Sequence, residues 1–152
     1  MAPDRFTHSV SVDATPESAW QVLQQPETWG TIAGVERVYD AQHSPDGVLR
    51  SYRFTVRAAG KAYEGTATTH DAEAPVLMAV TIDTSEVIGT ITVELAPSNP
   101  GGIDMTASLK MQARGILSAL IFPIIAAAVG SGFPGQIEEI ASRMEAAGQA
   151  PT

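Results

Sequence analysis

Between Phe6 and Val12 the chain alternates, with Phe6, His8, Val10 and Val12 on one side and Thr7, Ser9 and Ser11 on the other. A period of two predicts a half-buried first strand. Thr15-Pro16 then opens a helix: Thr15 is suited to cap it, and Pro16 is pre-set for its first position. Ala19, Trp20, Val22 and Leu23 give this short helix an apolar side, and Pro26 and Trp29-Gly30 break it. A second short turn or helix is expected to lead on to Gly34.

The middle of the chain reads as strand after strand, near Val35–Ala41, Val48–Ala58, Lys61–Thr69, Val76–Thr84, Val87–Ala96 and Ile103–Ala113. Ser44-Pro45-Asp46-Gly47, Gly60, Ala74-Pro75 and the run from Pro97 to Gly102 separate them with turn-forming residues. Such short separations predict an antiparallel meander. Alternation puts Tyr52, Phe54, Val56, Tyr63, Gly65, Ala67, Met78, Val80, Ile82, Val87, Ile91, Val93, Leu95, Met105, Ala107, Leu109 and Met111 on one face. Arg53, Arg57, Glu64, Asp83, Glu94 and a series of threonines fall on the other, and a bulge in β-pairing would be needed to bring Arg53 or Glu64 inward. A sheet with one apolar face needs a helix to cover it, so the fold class is α+β.

The cover lies in the last segment. Gly115–Ile137 carries no charged residue, and Glu138–Ala147 after it reads as a polar helix. A membrane span needs about 20 apolar residues; the solid apolar run, Ile116–Val129, is shorter and contains Pro123. A buried core helix is the expectation, with transient contact between this helix and a membrane as a weaker variant. Gly130, Gly132 and Gly135 spell G-x-G-x-x-G, but an apolar helix precedes them and Pro134 sits inside. A dinucleotide site needs a strand leading into those glycines and a helix leaving them. The triplet is therefore read as a kink or break in the helix.

Composition narrows the function. The chain has 152 residues, enough for one domain, 1–152, with 44% hydrophobic residues to fill a core. It has no cysteine, which removes disulfide frameworks, thiolate metal sites and cysteine nucleophiles. The net charge of −8 disfavours nucleic acid as a partner. The N-terminus has no apolar signal region, and a cytoplasmic location is expected. His8, His43 and His70 lack metal-binding spacing, so neither a metal nor a cofactor is expected. His43 and His70 are expected in solvent at strand ends. His8 turns toward the apolar side, where it is a hydrogen-bonded edge residue or, less simply, a polar anchor or acid/base.

The order of elements resembles the START-like (SRPBCC) superfamily. This is the helix-grip fold, which groups pollen allergens, lipid-transfer domains and polyketide cyclase/dehydratase-like proteins. The resemblance rests on Val10–Trp20, a strand followed by a proline-started helix with a tryptophan, on the Ala74-Pro75 step, and on Gly115-Ile116-Leu117 opening the last helix. Ile32-Ala33-Gly34-Val35-Glu36 is similar to a segment of the superfamily's carbon-monoxide-dehydrogenase branch, with Ala33 where that branch usually has proline.

The resemblance implies a curved sheet of about seven strands gripping the C-terminal helix, with an apolar cavity between them. Its candidate lining is Trp29, Tyr52, Phe54, Tyr63, Met78, Ile91, Met105, Leu109 and Phe122, any of which can also serve as plain core. Small residues at Gly65, Ala67 and Ala107 are expected to leave room, and methionines to make the wall adaptable. Inward polar groups are few, namely His8, Tyr52, Tyr63 and Thr69, with His8 and Tyr63 the weak catalytic candidates. The favoured reading is a carrier or binding protein for a lipid, quinone or polyketide-like molecule. A cyclase/dehydratase-like enzyme comes next, then a protein-interaction module without ligand. The sequence leaves the oligomeric state open.

Overall fold

The chain forms strands β1 (Asp4–Val12), β2 (Val35–His43), β3 (Leu49–Ala58), β4 (Lys61–Glu73), β5 (Leu77–Thr84), β6 (Val87–Pro97) and β7 (Ile103–Ala113). Helices α1 (Pro16–Leu23) and α2 (Pro26–Trp29) follow β1, and α3 (Ile116–Gln149) follows β7. The structure, a computed structural model, describes residues 4–30, 35–58, 60–98, 102–114 and 116–149, without the side chains at 4, 58, 116–125, 128, 129 and 149. Ile32, Ala33 and Gly34, which carry the likeness to the carbon-monoxide-dehydrogenase branch, lie outside the described residues.

All seven strands join one antiparallel sheet in the order β1-β7-β6-β5-β4-β3-β2. The six later strands are the expected meander, and β1 pairs with β7 at the far side. The expected parity holds: Tyr52, Phe54, Ala67, Met78, Val80, Ile91, Val93, Leu95, Met105, Ala107, Leu109 and Met111 are all buried. The pairing of β3 with β4 runs without a shift from Ser51 to Ala58, so Arg53 and Glu64 stay on the outer face.

Local chemistry explains the helix starts. The Thr15 hydroxyl accepts from the Ser18 N–H at 3.1 Å, and Pro16 occupies the first position of α1. Pro26 does more than break α1: it starts α2. Two expectations need correction. First, β4 runs on to Glu73 through a register shift between Thr69 and Asp71, so His70 lies within the strand and bonds Thr81 at 2.8 Å. Second, α3 is one uninterrupted helix, with no break at Gly130–Gly135.

The glycines there have a packing reason. A Cβ on Gly130 would lie 2.5 Å from Cε1 of Phe6, so glycine lets α3 close onto β1. Phe133 and Phe6 meet at 6.3 Å between ring centroids. Ile137, Ile140, Ala141 and Met144 continue the buried stripe, and α3 packs on β1, β7 and α1. Each large apolar side chain buried here contributes about 1.5–3 kcal/mol. The helix is anchored to β1 by polar contacts as well: Glu145 accepts from the Asp13 N–H at 2.9 Å, and Glu138 lies 3.4 Å from His8 Nε2. Among the described residues no helix is long and apolar enough to cross a membrane.

Candidate functional site

A cluster of rings forms on the inner face where α2 meets β3. Trp29 is 1% exposed, and its Nε1–H donates to the Leu23 carbonyl at 3.0 Å, which fixes the indole. Its ring stacks on Tyr52, with centroids 6.4 Å apart and planes at 25°. Tyr52 in turn meets Phe54, two residues along the same strand face, at 6.2 Å. Gly65 pairs with Phe54 across the strands, and a Cβ on it would lie 2.4 Å from Phe54 Cζ. The absent side chain at Gly65 therefore makes room for the Phe54 ring, which fills space that the small-residue pattern assigns to a cavity.

Cross-strand register gathers the other candidates. Val80, Ile91 and Leu109 form one row that ends at Phe6. The next row is Met78, Val93 and Ala107, ending at His8. Met105 follows opposite Leu95. Met78, Ile91, Met105 and Leu109 are all buried. Tyr63 is only half-buried and pairs with Val56, away from the ring cluster. Phe122 lies on α3, and its side chain is outside the described residues.

Sequence reasoning missed Gln24, the polar hinge of this region. It is 5% exposed at the end of α1. Its Oε1 accepts from the Leu49 N–H at 2.9 Å, and its Nε2 donates to the Trp20 carbonyl at 3.1 Å and to Met78 Sδ at 3.6 Å. Its own carbonyl lies 2.9 Å from His43 Nε2, which ties the exposed His43 to α1. One side chain thus holds α1, β3 and β5 together. Gln24 sits among Gln21 and Gln25 at the end of a short helix, and nothing in that sequence distinguishes it from them.

The inner polar groups differ in how well they are satisfied. The Thr69 hydroxyl donates to the Leu49 carbonyl at 2.7 Å. The His8 ring faces Glu138, with its side chain 27% exposed, at the edge of the sheet. Tyr52 is the exception: the residue is 5% exposed and its hydroxyl bonds no described residue, although the oxygen itself is not fully shut from solvent. Burial alone pushes its pKa well above the usual phenol value, so the group stays protonated as a donor.

Charge is kept to the outer face. There Arg37 lies 4.1 Å and Arg53 5.5 Å from the centroid of the Tyr39 ring, and the Tyr39 hydroxyl bonds the Glu64 carboxylate. That bond holds Glu64 below, and Tyr39 above, its ordinary pKa. A shallow depression lined by Thr81, Ile88, Thr90, Lys110 and Gln112 also opens on this outer side, not beneath α3. Among the described residues no three metal-ligating side chains come together.

A sequence profile of the family described as polyketide cyclase / dehydrase and lipid transport matches residues 3–146. No curated protein matches the sequence. Several solved structures share the fold. A START superfamily protein from Mycobacterium smegmatis is 12% identical, with a TM-score of 0.69 over 93% of this chain and 97% of that one. A protein from Thermus thermophilus is 14% identical, with a TM-score of 0.71 over 95% and 99%. The Zhui aromatase/cyclase of a Streptomyces species is 15% identical, with a TM-score of 0.61 over 95% and 88%.

Proposed function

The chain belongs to the polyketide cyclase/dehydrase and lipid transport family, and from that premise we propose that it is a carrier that holds an apolar molecule between the inner sheet face and α3. The observation that carries this reading is Tyr52, a neutral phenol inside an apolar face with no hydrogen-bond partner among the described residues. The hydroxyl is not one of the fully occluded unpaired atoms, so within an otherwise apolar face it stays open to a water or to a bound molecule. Trp29 and Phe54 pack against it, and Met78, Ile91 and Leu109 continue the same buried inner face across the sheet, the apolar lining from which small-molecule sites gain most of their affinity.

The same geometry favours holding over transforming. Acid/base turnover needs a proton donor and acceptor within reach of one substrate. His8 is engaged with Glu138 at the sheet edge, Tyr63 is displaced from the ring cluster, and the nearby carboxylate Glu64 faces outward.

Native mass spectrometry of the purified protein tests the proposal. A co-purifying apolar molecule is expected, and after its extraction, rebinding should change the Trp29 emission. Tyr52→Phe should weaken rebinding about threefold to tenfold, the size of one lost hydrogen bond. An empty preparation whose emission ignores lipids, quinones and aromatic polyketides would overturn the reading.

A further inference from the structure

Two polar atoms on α3 are shut away from solvent without a hydrogen-bond partner among the described residues: Gln136 Oε1 and Arg143 Nε. They stand seven residues apart, two helical turns, and so share one flank about 10 Å long. That flank can be placed. Glu138 and Glu145, which contact His8 of β1 and Asp13 just beyond its end, each follow one of the pair by two residues, about 200° around the helix. Gln136 and Arg143 thus point away from the sheet edge, to the side where Ile140, 1% exposed, separates them.

The charge environment makes Arg143 stand out. The chain carries 17 carboxylates against 9 Lys and Arg. Glu139 sits one turn before Arg143 on the same helix, yet no ion pair joins Arg143 to any described carboxylate. Its Nε is occluded, in a half-buried side chain. Gln136 offers an acceptor on the same flank.

We infer that this flank of α3 is the polar end of the ligand site: Arg143 holds a carboxylate or similar anionic oxygen group of an otherwise apolar ligand, and Gln136 accepts from a ligand hydroxyl. The inference rests on the carrier reading and narrows its ligand to an amphipathic acid. A guanidinium suits this role because its fork pairs with carboxylate oxygens through charge-assisted bonds.

The test uses cis-parinaric acid, a fluorescent polyene fatty acid, and its methyl ester, which shares the chain but lacks the charge. The wild-type protein should bind the acid about tenfold more tightly than the ester, the value of one charge-assisted bond. Arg143→Gln should erase that preference while ester affinity stays within about twofold. Arg143→Lys, which keeps the charge and stem but loses the fork, should fall between them. Gln136→Leu should selectively weaken displacement of the probe by 12-hydroxystearate relative to stearate.

If the ester binds and the acid has no advantage, or if Arg143→Gln weakens both equally, the clamp is wrong and the carrier reading survives. If neither probe nor any other apolar molecule binds, both fail.

Discussion

Where α3 closes on β1, the boundary is settled in every sense. Gly130 admits the Phe6 ring, Glu145 takes the Asp13 N–H, and Glu138 faces His8. Across the sheet, where α2 meets β3, the packing is equally apolar but the polar groups are treated differently. The Tyr52 hydroxyl is left without a partner among the described residues, beside a tryptophan whose own N–H is satisfied. The first region behaves as a clasp, and its residues are chosen for fit. The second keeps a phenol that no described residue bonds in an otherwise apolar face.

Ile137→Ala, at 1% exposure on the clasp side, should cost about 2–5 kcal/mol in urea unfolding, because the removed methylenes leave a cavity. A loss under about 1 kcal/mol would show that the clasp is looser than its packing implies. Gln24→Leu should cost about 1–3 kcal/mol, since the Leu49 N–H would lose its acceptor inside the protein.

The smallest effect belongs to Tyr52→Phe. Removing an unpaired hydroxyl should leave stability unchanged or raise it by up to about 1 kcal/mol at neutral pH. It also has a pH signature. The folded state holds the phenolic proton more tightly than the unfolded chain does, whose value is 10.0. Stability is therefore unaffected below that value and falls as pH climbs above it. The Phe variant should lack this fall, so the two unfolding curves should diverge above pH 10. Parallel curves would mean that the phenol is solvated after all.

Legibility of the fold from sequence depended on periodicity. Strands with regular alternation, such as Ile103–Ala113, can be read with their ends and faces because each step flips the side chain. The reading fails where tertiary contact overrides local signals. β4 extends through His70 and Asp71, whose polarity looks like a strand end until the bulge is seen. α3 continues through Pro134 and three glycines because apolar packing on either side, from Ala126 and Phe133 to Met144, holds it. The ring cluster is partly visible, since Tyr52 and Phe54 share a parity and the family resemblance adds Trp29 to the same lining. That Gly65 serves the Phe54 ring, or that Gln24 binds three elements, depends on contacts between segments far apart in sequence.

The pairing of β1 with β7 has a consequence for how the molecule comes into being. The strand Asp4–Val12 has no neighbour until Ile103–Ala113 exists, and the bond from Asp13 to Glu145 spans 132 positions. As the chain leaves a ribosome, Phe6, Val10 and Val12 must wait, exposed, for most of synthesis. Contacts this distant are entropically late and slow to form. A molecule that grips by joining its earliest strand to its latest helix closes in one final step. Until then, Phe6, Val10 and Val12 are the part of the chain most exposed to misassembly or to capture by a chaperone.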